Sequence, residues 1–168
     1  MSLSMYQASL PQILRMLDNL SAIVDKAVAH CDTRKIDPQV LFNARLYPDM
    51  LPFYRQVQIA SDQAKGVAAR LAGVEVPSFP DAEANFGELK ARIAKTAEFL
   101  RGFSAEQIDG SESREIRFTG GQREFRFSGQ QYLMTFVLPN FYFHVTTAYD
   151  ILRHCGVELG KMDFLGAA

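Results

Sequence analysis

The chain has 168 residues, 48% hydrophobic and 22% charged, which predicts one folded domain over residues 1–168 and excludes disordered, collagen-like and low-complexity classes. Its 18 basic and 19 acidic residues leave a formal net charge of -1 with no Lys/Arg block. Nucleic acid is therefore not expected as a partner, and a small organic ligand fits better. No stretch approaches the roughly 20 apolar residues of a membrane span and no basic segment leads into an apolar one at the N-terminus, so no membrane partner is expected and the location is read as cytoplasmic.

The first helix is predicted over about residues 4–30, where Leu10, Ile13, Leu14, Leu17, Leu20, Val24 and Val28 recur at three- and four-residue spacing, the pattern of a helix burying one stripe. Pro11 interrupts it, because proline has no N–H for the carbonyl four residues back, so the helix kinks there or restarts with Ser9 near its cap. The polar run at residues 31–35 ends the helix, and Asp37-Pro38 before Val40, Leu41 and Phe42 reads as a cap and a short helical turn. Pro48-Asp49 opens the second long helix, which runs to about Leu71 with Gly73 as its stop. Residues 74–80 are held extended by Pro77 and Pro80. At roughly 3.3 Å per residue that stretch crosses much of a bundle's length, so helices two and three need not form an antiparallel hairpin.

Asp81 is expected to cap the third helix, which carries Phe86, Leu89, Ile93, Ala97 and Leu100 at helical spacing and runs to about Gly102. Residues 115–119 and 122–127 alternate around Gly120-Gly121, a β-hairpin whose small apolar face must pack on the bundle or on a partner subunit. The last helix runs from Gly129 to Cys155, with Pro139 as a kink or restart and Gly156 as its end. There is no internal repeat and no linker that divides domains. The architecture read from these elements is all-α, a four-helix bundle with a small β-hairpin between helices three and four.

Chemistry concentrates on the last helix. Asn140, His144, Thr147 and Ile151 share one face, beside an apolar face of Phe141, Val145, Ala148 and Leu152. Buried imidazole and amide groups must find partners, so one reading is a satisfied structural pair. Arg55, Gln56, Gln58 and Asp62 interrupt an otherwise apolar second helix and offer those partners. The sharper reading is a polar binding pocket between helices two and four, lined by Tyr54, Gln58, Asp62, Asn140, Tyr142 and His144. A hydrolase triad is not supported, since no Gly-x-Ser-x-Gly elbow occurs and neither Cys31 nor Cys155 stands at a helix N-terminus. The two cysteines lie far apart outside any CxxC pair and are read as reduced thiols. Phe125, Phe127, Tyr132, Phe136, Phe141, Tyr142 and Phe143 gather late in the chain, either as core or, where exposed, as a homodimer interface.

His144 followed by Tyr149, Leu152-Arg153, Gly156 and Val157 resembles the last helix of the DinB/YfiT-like metalloenzyme superfamily. The segments Met5-Tyr6-Gln7-Ala8-Ser9, Asn43-Ala44-Arg45-Leu46, Gln56-Val57-Gln58-Ile59-Ala60 and Leu138-Pro139-Asn140-Phe141-Tyr142-Phe143-His144 extend the resemblance, to an uncharacterised subfamily, over nearly the whole chain. It implies helices arranged up-down-down-up and a metal site of one histidine on the second helix and two, four residues apart, on the last. Carried onto this chain, those positions are Gln58, Asn140 and His144, so two of three imidazoles are amides, which bind zinc or nickel weakly. The up-down-down-up order would also bring His30-Cys31 and His154-Cys155 to one side, a second constellation that helix C-termini disfavour as a thiolate site. The expectation is a small-molecule-binding bundle with a degenerate metal site, holding no cofactor or a weakly bound divalent metal at His144, and acting as a homodimer. The alternative is a metal-dependent transferase, such as a thiol transferase, or hydrolase using His144, with Asp62 or Asp49 completing the shell.

Overall fold

The computed structural model describes residues 3–166. Helix α1 spans Leu10–Arg34, with Ser9 at the N-cap position and Pro11 in the first turn, so the proline begins the helix instead of kinking it. It runs four residues beyond the expected end and stops where Lys35 turns left-handed at φ 57°, its N–H on the Cys31 carbonyl. Asp37 accepts a hydrogen bond from the Gln39 N–H at 2.9 Å and starts the short α2, Pro38–Phe42. Helix α3 spans Phe53–Ala72 and ends at Gly73, φ 72°. It begins after Pro48-Asp49, because Pro52 drives Leu51 out of helical geometry.

Helix α4 spans Phe86–Arg101, and its cap is Asn85, not Asp81. Asn85 Oδ1 accepts from the Glu88 N–H at 2.9 Å, while the Glu88 carboxylate reaches back to accept from the Ala84 N–H, just before the cap, at 2.7 Å. Asp81 instead binds Arg55 and Arg92. A short α5 (Ala105–Ile108) leads to the antiparallel strands β1 (Glu115–Gly120) and β2 (Arg123–Ser128). Ile116 faces Phe127, Phe118 faces Phe125, and Gly121 at the tip takes φ 61°, where a side chain would be strained. The hairpin packs on its own bundle: Phe118 stacks edge-on to Tyr132 and Phe136, and the Arg70 guanidinium lies 4.4 Å over the Phe118 ring.

The final rod consists of α6 (Gly129–Gln131), a π-helical segment (Tyr132–Val137) and α7 (Leu138–His154). The π segment ends just before Pro139, whose ring would crowd the Thr135 carbonyl in α-helical register, so the wider turn absorbs the proline without breaking the rod. Helix α8 (Lys161–Leu165) folds back on α1, held by Lys26–Asp163 at 2.6 Å and by the Asn19 amide on the Phe164 carbonyl at 2.9 Å.

Cross-helix pairs give the topology. Asp18 meets Arg101 and Asp25 meets Lys90, so α1 and α4 are antiparallel. Phe53 packs on Phe86 and Asp62 binds Arg92, so α3 and α4 run the same way. Gln56 meets His144 and Arg70 meets Tyr132, so α3 opposes α7. The order is therefore up-down-down-up. A parallel α3–α4 pair needs a connection that returns along the whole bundle, and residues 74–85, at about 3.3 Å each, outreach the roughly 30 Å of α3. Leu17, Leu20 and Ile23 of α1, Val57, Ala60 and Ala64 of α3, Leu89 of α4, and Phe141, Val145 and Ala148 of α7 are fully buried at the centre. Of the seven late aromatics, Tyr132 and Phe141 are fully buried and Phe143 is the exposed one. Among the described residues no helix is long and apolar enough to cross a membrane, and both cysteines are free.

Candidate functional site

His144 sits on α7 facing the first turn of α3. Its Nδ1 lies 2.7 Å from Gln56 Oε1, and the other end of the same amide, Gln56 Nε2, donates to the Leu51 carbonyl at 3.0 Å. A flipped amide would set two oxygens against each other at Leu51, so the Gln56 oxygen must face the ring and Nδ1 must carry the proton. Nε2 is then the lone-pair nitrogen. Burial holds the His144 pKa below its ordinary value, keeping the ring neutral. Phe143 stands edge-on to the imidazole, centroids 5.2 Å apart. The buried side-chain nitrogens and oxygens without a partner among the described residues are Arg92 Nε and Ser111 Oγ. His144 Nε2 and the half-buried Asn140 amide one turn earlier have no hydrogen-bond partner among the described residues and are not among these buried atoms, so they meet solvent.

Gln58 does not reach His144. Its Nε2 donates to Glu83 at 2.7 Å and its Oε1 accepts from Arg55 at 2.6 Å. Two residues along a helix is a rotation of about 200°, so Gln56 and Gln58 face opposite sides of α3. The α3 position opposite His144 is Gln56, two residues before the one chosen from the resemblance. Tyr54, Gln58 and Asp62, four apart, form one stripe facing away from α7: Tyr54 stacks on Phe42 at 5.0 Å, and Asp62 binds Lys65 at 2.8 Å and Arg92 at 2.9 Å. Tyr142 is likewise about 200° around α7 from His144; it packs edge-on to Phe141, and burial raises its pKa. The six residues expected to line one pocket thus divide, with Asn140 and His144 on one side, Tyr54, Gln58 and Asp62 on another, and Tyr142 on neither, beside Phe141.

The second side is an ion network. Arg92, with 2% of its side chain exposed, binds Asp62, Asp81 and Glu83 at 2.9–3.1 Å and donates to the Pro80 carbonyl. It pins the returning segment to α3 and α4. Arg55 adds a bond to Asp81 at 2.7 Å, and these cations hold the Asp81 carboxyl below its usual range against the opposing effect of burial. With Asp62 committed here, it does not complete a shell around His144.

Neither proposed metal constellation fits a transition metal. At His144 the donor set is one imidazole and two amides, and the Gln56 oxygen already accepts the imidazole proton. At the other end, His30, Val157 and Glu158 line one cavity of about 440 Å³, so the ends of α1 and α7 do meet. Burial and then Asp32 and Asp37 push the Cys31 thiol up, and burial pushes Cys155 up, which keeps both protonated. Among the described residues no group of three or more His, Cys, Asp or Glu side chains is arranged to hold a metal ion.

An up-down-down-up bundle with a hairpin before its last helix, and a polar pair where α3 meets α7, defines a DinB-like protein. The chain belongs to the DinB family and, within it, to the family described as a domain of unknown function, DUF1993, whose model matches residues 5–165. It is similar to a DinB family member protein from Shewanella denitrificans, with 41% identity over 97% of this chain and 92% of that chain, and a TM-score of 0.88. No curated protein matches the chain.

Proposed function

We propose that this protein is a small-molecule-binding member of the DinB family in which the metal position has become a metal-free polar site built from Gln56, Asn140 and His144. The observation that carries this reading is the Gln56–His144 hydrogen bond at 2.7 Å. A side chain serving as a second metal ligand would have to turn its lone pair toward the ion, whereas the Gln56 oxygen is used by the imidazole and its nitrogen by Leu51. Asn140, the remaining member, is a weak ligand for zinc or nickel.

The test is elemental analysis of the purified chain before and after incubation with excess zinc and nickel, for the natural protein and for His144→Ala. Sub-stoichiometric metal, unchanged by the substitution, is expected. One equivalent of zinc or nickel that disappears in a folded His144→Ala protein would overturn the reading in favour of metal-dependent chemistry at His144.

A further inference from the structure

We propose, on the basis of the metal-free reading above, that the His144 site takes a small uncharged molecule with an apolar body and one O–H donor, of the phenol or alcohol class, whose hydroxyl hydrogen-bonds to Nε2. The lone pair is assigned by geometry: Leu51 orients the Gln56 amide and Gln56 holds the proton on Nδ1, leaving Nε2 as an acceptor. A ligand group that meets it must therefore donate.

The surroundings set the rest of the class. Phe143, 57% exposed, stands edge-on to the imidazole, and Leu51, 44% exposed, supplies the carbonyl that anchors Gln56. The Phe143 ring gives the site an apolar edge that suits a hydrocarbon body. The charged groups of the first half of α3 are spent on the far side of that helix, Arg55 on Gln58 and Asp81, Asp62 on Lys65 and Arg92, and Arg70, at the other end, binds Tyr132. Arg45, on the loop before α3, donates to the Met50 carbonyl at 2.9 Å. An ionic ligand at His144 would therefore gain no contact with the Arg55, Asp62, Asp81 and Arg92 ion pairs. The Asn140 amide, one turn before His144 on the same face and without a partner among the described residues, is placed to hydrogen-bond the hydroxyl oxygen that Nε2 receives.

The test uses the full chain labelled with nitrogen-15 at its three histidines, observed by long-range proton–nitrogen NMR. Phenol is the probe, anisole is the same ring without the donor, and benzoate is the anion. Phenol should move the His144 Nε2 resonance saturably while His30 and His154 stay put, anisole should bind about fivefold more weakly or worse, and Asn140→Ala should weaken phenol about fivefold, as loss of one ordinary hydrogen bond implies. Equal binding of phenol and anisole, tighter binding of benzoate, or no movement with phenol would each overturn the assigned class. Adding one equivalent of zinc separates the two readings. A saturating shift of Nε2 with zinc would sink the metal-free site itself, whereas a null zinc arm with a null phenol arm removes the ligand class alone.

Discussion

The Gln56 side chain joins His144 on α7 to Leu51 on the loop before α3, accepting from the ring at 2.7 Å and donating to the carbonyl at 3.0 Å. One glutamine thereby sets both the tautomer of the imidazole and the nitrogen that faces outward. Replacing it separates structure from chemistry. Gln56→Leu should cost about 1 kcal/mol in chemical denaturation, since the half-buried ring can recover part of the lost bond from water. Gln56→Glu should raise the His144 pKa by placing a carboxylate against Nδ1, read directly in an NMR titration.

Acid dependence follows from the burial of His144, which lowers its pKa in the folded chain. As pH falls, the unfolded chain takes up its proton first. The contribution of neutral His144 to stability is therefore complete above the ordinary imidazole value and is lost as pH falls through the folded one. Denaturation midpoints measured across that interval should drop for the natural chain. In His144→Phe that part of the slope should disappear.

The double change Gln56→His with Asn140→His places three imidazoles where there are now one imidazole and two amides. It should bind zinc or nickel stoichiometrically, with the metal at about 2.1 Å from each nitrogen in a crystal structure. Gln58→His with Asn140→His should not, because position 58 faces Glu83 and Arg55.

Arg92 is the hub of the returning segment's attachment. Arg92→Met should destabilise the fold by about 2 to 3 kcal/mol, less than a fully buried pair would, because Asp62 and Asp81 keep 37% and 39% of their side chains exposed. Limited proteolysis should begin within residues 74–84.

Gly129 begins the final rod against the loop before the hairpin. A Cβ there would lie 1.9 Å from the Ser111 carbonyl oxygen, so Gly129→Ala forces a backbone shift. A loss of about 3 kcal/mol is expected in thermal unfolding.

Much of this fold was legible because its signals are local. The stripe through Leu10, Leu17, Leu20 and Val24, the stop at Gly73, the prolines at 77 and 80 and the Gly120-Gly121 turn each act through the geometry of a few neighbouring residues. The misses were also of one kind. Asp81 has the chemistry of a cap, yet Arg55 and Arg92 claim its carboxylate from other elements, and Asn85 takes the cap. The long first helix continued through Cys31 because Cys31 is buried in the core, which a polar-looking run at residues 31–35 conceals.

His144 itself stood out in the sequence, as a lone imidazole on an aromatic helix beside Asn140. Its partner did not, because Gln56 and Gln58 are the same residue type two positions apart. A signal was present: Gln56 precedes Ala60 and Ala64 by one and two turns, on a run of small buried residues that lets α3 approach α7.

Helix periodicity, turn residues and composition, all properties of short stretches of chain, determined the bundle, the hairpin and the candidate histidine. Which glutamine meets that histidine, which nitrogen it leaves open and which carboxylates are withdrawn into the Arg92 network depend on how α3 is rotated between α4 and α7. That rotation was decided only by packing, because the free energy of burying one face of α3 over another resides in the neighbouring helices rather than in α3 alone.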